Sequence, residues 1–290
     1  MSTHGITRRT WLGTVPGAIT LGALSSPLRA QEYQIAGADL KLGVASYSLR
    51  HFSRAQAIEM TKQLGTPYLN VKEFHLKLDS TPQQIDTAVK EFHDAGIILV
   101  GCGNVSFQKD DESDIRHKFE YAKRAGFPLI VCAPTAVTLP KLEKFVKQYD
   151  IKIAVHNHGP EDKNFPTPQS VLKIVKNMDP RCGLCIDIGH TAAAGVDVVQ
   201  SIAEAGPRLL DMHAKDLREI SSAETQVPVG NGKLPFPQIF LQLIKMKYNG
   251  CVNLEYEADP DNPMPGMQKS FSYMRGMLAG IQGAKSSRTR

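Results

Sequence analysis

The 290-residue chain has no uninterrupted apolar run of the roughly 18 residues that a membrane-spanning helix needs, and its best candidate for one lies at the extreme N-terminus. Cysteine is sparse and odd in number. Cys102, Cys132, Cys182, Cys185 and Cys251 are scattered through apolar runs, which argues against a disulfide framework. Cys182 and Cys185 make a C-x-x-C pair inside Cys-Gly-Leu-Cys-Ile-Asp-Ile, which reads as a strand. Residues three apart on a strand point to opposite faces, so this pair can neither share a metal nor easily bridge. A glycine-rich dinucleotide turn is also missing after the first strand, where Gly43-Val-Ala-Ser-Tyr stands. That absence counts against a doubly wound nucleotide-binding sheet.

No acidic residue precedes Glu32. The opening segment instead carries Arg8-Arg9, a weakly apolar Gly/Thr/Ala/Leu run through Leu24, and Leu28-Arg29-Ala30. An arginine pair, an apolar core and an L-x-A cleavage site in that order read as a twin-arginine signal over residues 1–30. The expectation is export by the twin-arginine machinery to the periplasm, after folding and metal loading in the cytoplasm, with residues 31–290 as the mature domain. The formal net charge of +5 then falls to +2 once Arg8, Arg9 and Arg29 are removed. Basic character therefore gives no ground for a nucleic-acid partner.

What the rest of the chain has is a regular alternation of short β-branched runs and amphipathic segments. The runs are Leu42–Tyr47, Tyr68–Phe74, Ile97–Gly101, Pro128–Ala133, Lys152–His156, Gly183–Ile188, Leu209–His213 and Cys251–Tyr256. The helical spacings cover Ser53–Leu64, Thr81–His93, Asp114–Ala125, Leu139–Tyr149, Pro168–Met178, Val198–Ala205, Phe236–Met246 and Met267–Ile281. Ser53, Asp79 or Ser80, and Thr167 are N-cap candidates, and Gly65, Gly96, Gly126 and Gly250 follow last turns. Eight βα units of about 30 residues each predict a single α/β domain, a closed (β/α)8 TIM barrel.

Catalytic groups of such a barrel sit at the C-terminal ends of strands, and there the polar residues collect. Outward positions pack on helices and should be aliphatic, so the alternate residues point inward. With Ile151, Ile153 and Val155 outside, His156 and His158 face in. With Leu184, Ile186 and Ile188 outside, Asp187 faces in; with Leu210 and Met212 outside, so do His213 and Lys215. Val252 and Leu254 leave Glu255 and Glu257 inside, and Leu69 and Val71 leave Lys72 inside and Glu73 short of the centre. One inward histidine is more often a satisfied core residue. Two imidazoles and two carboxylates converging from four consecutive strands are instead an N/O ligand set for one divalent ion such as Mn, Co or Zn, formed by His156, Asp187, His213 and Glu255. His51, His93 and His117 fall on loops or helix faces and receive no role.

These residues carry a resemblance to the xylose isomerase-like TIM-barrel superfamily, also described as sugar phosphate isomerase/epimerase or AP endonuclease-like. The matching features are Asn157-His158-Gly159, Asp187-Ile-Gly-His190, His213-Ala-Lys215-Asp216, Gly230-Asn-Gly232 and Asn253-Leu-Glu255. Many members carry Glu where this chain has His156. The resemblance implies one divalent metal and isomerase, epimerase, dehydratase or lyase chemistry on a small carbohydrate.

Those reactions share removal of a proton next to a carbonyl, with an enediolate stabilised by a metal bound through two substrate oxygens. Lys72 and His75 on one side, with Lys215 and His190 on the other, are the expected proton-handling groups, and His158 and Glu257 are further candidates. The metal's charge is expected to depress the pKa of a nearby lysine, favouring a neutral amine. An exported location favours an unphosphorylated substrate, and exported relatives resemble 3-keto-glycoside lyases, which share the enolisation step with an isomerase or epimerase. A phosphodiesterase would need more ligands and a basic face. A sugar-binding barrel without catalysis is the remaining reading.

Overall fold

Residues 40–288 are described in the computed structural model, and residues 1–30, where a twin-arginine signal is expected, lie outside them. The eight apolar runs become strands β1 (Lys41–Ala45), β2 (Tyr68–Val71), β3 (Ile98–Phe107), β4 (Leu129–Pro134), β5 (Lys152–His156), β6 (Cys182–Asp187), β7 (Leu209–Ala214) and β8 (Cys251–Leu254). They pair in parallel in chain order, and β8 closes on β1 with Lys41 opposite Cys251 and Val44 opposite Leu254. The result is the expected single (β/α)8 barrel. Among the described residues no helix is long and apolar enough to cross a membrane.

Helices α1 (Arg54–Gln63), α2 (Pro82–Asp94), α3 (Glu112–Arg124), α4 (Leu139–Tyr149) and α5 (Pro168–Val175) begin where local chemistry starts them. Ser53, Thr81 and Thr167 each accept the N–H three residues on in a capping box. The cap of α2 is thus Thr81, in front of Pro82, and not Asp79 or Ser80. Gly65, Gly96 and Gly126 take positive φ after α1, α2 and α3, as expected. Beyond β6 come α6 (Ile188–Ala193), α7 (Val198–Ala205), α8 (Phe236–Lys245) and α9 (Met264–Arg288). After α8 the left-handed residue is Lys247, at φ 54°, and not Gly250.

Differences from the sequence reading concentrate at strand ends. β1 stops at Ala45 because Ser46–Leu49 winds into a 3-10 turn, and β2 stops at Val71 in a turn closed by His75 N–H donating to Lys72 O (3.0 Å). β8 stops at Leu254, and β3 runs on to Phe107 through a register shift between Cys102 and Val105. Ile188, read as strand, begins the helix α6 that the periodicity did not show.

The barrel interior is layered. At its floor Leu129, Val131, Ala154 and Cys185 form an apolar cluster, separate from the large core between strands and helices that holds Cys182. Alternation thus parts the two thiols, and all five cysteines are buried and free. Leu210, expected outside, packs on this inner cluster. A register shift places Leu209 opposite Leu184 and Asp211 opposite Cys185, and Leu209 takes the outer position. Above the floor Asp211 accepts from Asn253 Nδ2 (2.7 Å) and Asn70 Nδ2 (3.4 Å), and burial pushes its carboxyl up to about 7.

One carboxylate organises loops at the rim where the strands end. Asp216 is buried, and its Oδ2 accepts the N–H groups of Gly230 (2.9 Å) and Gly232 (3.0 Å), while Oδ1 accepts those of Leu217 (2.9 Å) and Leu234 (3.1 Å). A Cβ on residue 232 would lie 2.2 Å from Asp216 Oδ1, and residue 230 has φ +93° with the Tyr273 ring 2.4 Å from a Cβ position, so both must be glycine. Asp216→Ala leaves four donors without this acceptor and is expected to lower stability by about 3–5 kcal/mol in urea unfolding, with Asp216→Asn in between. Equal midpoints for wild type and Asp216→Ala would contradict this anchoring role.

Candidate metal centre

Four strand ends deliver the proposed ligands to one point. His156 ends β5, Asp187 ends β6, His213 lies on β7 and Glu255 directly follows β8. All four are buried, and one donor atom from each lies within 4.8 Å of the others. His213 Nδ1 is 3.1 Å from Glu255 Oε2 and 3.8 Å from Asp187 Oδ2, and His156 Nε2 is 3.4 Å from Asp187 Oδ2. Ligands held about 2.1 Å from a tetrahedral or octahedral divalent ion lie about 3.0–3.4 Å apart; two of these separations fall in that range and the third, at 3.8 Å, is slightly longer.

Asp187 shows how a side chain is aimed. As N-cap of α6 it gives Oδ1 to the His190 N–H (2.9 Å), which leaves Oδ2 facing the other three residues. Its backbone is clamped as well: Asn157 Oδ1 accepts the Asp187 N–H (3.1 Å), and Thr191 Oγ1 donates to Asp187 O (2.7 Å). Both ring nitrogens of His156, His213 Nδ1 and Asp187 Oδ2 are buried without a hydrogen bond of acceptable geometry. Buried donors and acceptors are normally satisfied, so this cluster of orphans fits a cation that would take them as ligands.

The charges agree. Lys215 Nζ lies 3.2 Å from Asp187 Oδ2 and 3.1 Å from Glu255 Oε2 and also contacts Glu257 Oε1, while Lys72 Nζ lies 3.3 Å from Glu255 Oε1 and 3.3 Å from His213 Nε2. Three carboxylates thus face two lysines, so the carboxylates are in excess by one. Burial pushes the Asp187 carboxyl up, but the Lys215 ammonium beside it outweighs this and holds it well below the carboxylate range. Burial acts the same way on Glu255, and Lys215 and Lys72 beside it hold its carboxyl well below the usual range. Burial lowers His213 to about 4, which keeps its ring uncharged and able to ligate.

The proton-handling candidates separate. Lys72 and Lys215 reach the centre. Burial favours the neutral amine in Lys215, but Asp187, Glu255 and Glu257 hold its pKa well above the usual value. His158 and His190 stand side by side with ring centroids 4.4 Å apart, and His190 is 5.9 Å from His156. His158 is exposed, and His190 is half-buried, lowered to about 4 chiefly by burial, with Nδ1 unbonded. His75 is a correction. Its Nδ1 pairs with Ser46 Oγ (2.9 Å) and its Nε2 with Leu49 O (3.2 Å), so neither nitrogen is free to move a substrate proton. Ser46 Oγ also accepts the Lys72 N–H (2.8 Å), and His75 therefore supports the turn that presents Lys72. Glu73 is exposed, as its parity requires.

The sequence reading passed over the Asn70–Asp211–Asn253 layer and the roles of Asn157 and Thr191. Parity did contain the first, since Asp211 shares the inward register of His213 and Lys215. The Asn157 and Thr191 contacts needed the β6–α6 junction, which the periodicity had not shown.

Known proteins can be set beside this geometry. A family model described as xylose isomerase-like TIM barrel matches residues 113–277. The inosose dehydratase of Mesomycoplasma hyopneumoniae (strain J) is 29% identical over 162 residues, which are 49% of this chain and 53% of that protein. The chain thus spans about half the length of the curated relatives it matches. Among solved structures, the IOLI protein with a bound zinc atom superposes with a TM-score of 0.69 at 18% identity, covering 83% of this chain and 99% of the other. A D-tagatose 3-epimerase-like protein gives 0.67 at 20% identity, covering 85% and 100%. The family model spans more than half of the closed barrel's chain, and this protein belongs to the xylose isomerase-like TIM-barrel family.

Proposed function

We propose that this protein is a divalent-metal-dependent carbohydrate enzyme of the isomerase, epimerase or dehydratase type, whose reaction begins with removal of a proton beside a carbonyl. The observation that carries this reading is the ring of four buried donors from neighbouring strand ends, several of them without hydrogen bonds. The partial match to inosose dehydratase supports the same class. His156, Asp187, His213 and Glu255 would hold the ion, which when bound supplies Lewis-acid polarisation of a substrate carbonyl.

The chain's own residues supply the proton traffic. His190, uncharged and with Nδ1 unbonded beside His158 at the mouth, accepts the proton from carbon. Lys215, kept as an ammonium by Asp187, Glu255 and Glu257, faces the ligand cluster and donates to a substrate oxygen. Lys72, against Glu255 and His213, adds positive charge where negative charge develops on the substrate. Return of the proton to the neighbouring carbon gives isomerisation, and delivery of a proton to the opposite face of the original carbon gives epimerisation. Loss of a β-oxygen with a proton from Lys215 gives dehydration or, on a 3-keto-glycoside, release of the aglycone, which is the alternative finer reading. Export by the twin-arginine route, read from Arg8-Arg9, belongs to the same proposal and favours an unphosphorylated substrate.

Protein purified without chelator is expected to hold about one equivalent of Mn, Co or Zn by elemental analysis, and His213→Ala to lose it. Absence of metal in wild type, before and after soaking with these ions, would remove the mechanism and leave a sugar-binding barrel. In heavy water, NMR of keto-sugars, inososes and 3-keto-glycosides should show exchange or elimination at the carbon beside the carbonyl. Lys215→Met is expected to keep the metal yet slow turnover by about 100-fold or more. Cell fractionation should find the wild-type chain in the periplasm and an Arg8→Lys/Arg9→Lys variant in the cytoplasm, and equal distributions would exclude the signal.

A further inference from the structure

Glu255 and Glu257 lie beyond the last paired residue of β8, yet both side chains keep the inward register and meet Lys215. The backbone ladder cannot account for this. On the β7 side its last rung is the Glu255 N–H donating to Ala214 O (3.1 Å), with Leu254 opposite Ala214. In a continued parallel ladder the next rung would come from residue 216, whose N–H would donate to Glu255 O and whose C=O would accept from the Glu257 N–H. That peptide is elsewhere, because Asp216 turns away to pair with Val227 in a two-stranded antiparallel hairpin.

The carboxamide of Gln226, on the returning strand of that hairpin, stands in its stead. Its Nε2 donates to Glu255 O (2.5 Å), and its Oε1 accepts the Glu257 N–H. One side chain thus supplies the donor and the acceptor of the missing peptide, to the same two residues. On the other flank, past the end of β1, Ser48 Oγ donates to Leu254 O (3.3 Å) and accepts the Tyr256 N–H (2.8 Å). Residues 254–257 are therefore held as strand on both edges by side chains.

We infer that Gln226 is a positioning residue for the metal centre: its side-chain amide extends β8 by one rung, which holds Glu255 towards the ligand cluster and Glu257 on Lys215. Ser48 is its counterpart on the β1 flank. Without the rung, Glu255–Glu257 becomes a free loop segment in which inward parity is no longer imposed. The consequence for metal rests on the ligand assignment of the proposed function, whereas the backbone bond does not.

The test uses the full chain with Gln226→Met, which keeps side-chain volume and removes both hydrogen bonds, and Gln226→Glu, which keeps an acceptor for the Glu257 N–H. Amide hydrogen exchange of Glu257 is read by NMR, with zinc and cobalt affinity by competition and the visible spectrum of the cobalt form. The expected result is a Glu257 amide protected in wild type and Gln226→Glu and exchanging at least about tenfold faster in Gln226→Met. With it comes a loss of about 10- to 100-fold in metal affinity for Gln226→Met and an altered cobalt spectrum, as for other residues that orient ligands. A lowered melting temperature alone, with affinity and spectrum unchanged, would reduce Gln226 to a purely structural role and overturn the inference. Equal Glu257 exchange in wild type and Gln226→Met would overturn it too. A wild type that binds neither metal defeats the proposed function and the metal half of this inference, while the exchange measurement still decides the rung. Should Gln226→Met fail to fold, Gln226→Glu exchanging faster than wild type at Glu257 would contradict the assigned bond.

Discussion

The site depends on one constraint: polar side chains that strand alternation turns into the barrel must find balance away from water. A carboxylate buried alone is costly, and one facing imidazoles and ammonium groups is not. Asp187 is held ionised by Lys215, and Glu255 by Lys215 and Lys72, and Lys215 is in turn kept an ammonium by Asp187, Glu255 and Glu257. Lys215 touches both of these carboxylates and Glu257, so the charges at the mouth are balanced as a group and not pair by pair.

Around that unit, the fold assigns different tasks to the two ends of individual groups. One Asp187 oxygen caps a helix while the other faces the ligand cluster, so the start of α6 and the aim of the carboxylate are the same event. Asp216, whose four backbone partners hold the Gly230–Leu234 loop, sits next to Lys215 in sequence but points away from it. The layering below the site follows from the same alternation. An apolar floor seals the barrel, and the Asn70–Asp211–Asn253 layer separates that floor from the charged groups above.

The barrel was legible because its signal is redundant. Eight aliphatic runs alternate with amphipathic segments, and a helix pattern cannot serve as a strand pattern. The convergence of His156, Asp187, His213 and Glu255 was legible for a related reason: a two-residue period and a known outer face leave only one direction for the alternate positions. The same rule failed at Leu210, where a register shift changes the phase without a mark in composition. It also said nothing of His75, which lies past the end of β2 in a turn and is directed by Ser46 and Leu49.

By itself the sequence determined the order of the elements, the closed barrel and the inward set of imidazoles, carboxylates and lysines, because these follow from periodicity along the chain. Only the tertiary structure decided which groups are free and which are committed. His75 and His190 look alike as residues, yet one has both nitrogens bonded and the other has Nδ1 unbonded beside His158. Likewise the amide of Gln226 reaches Glu255 and Glu257 across 29 and 31 positions of chain. A hydrogen bond is satisfied in space, and partners that distant are chosen by packing, which no local pattern records.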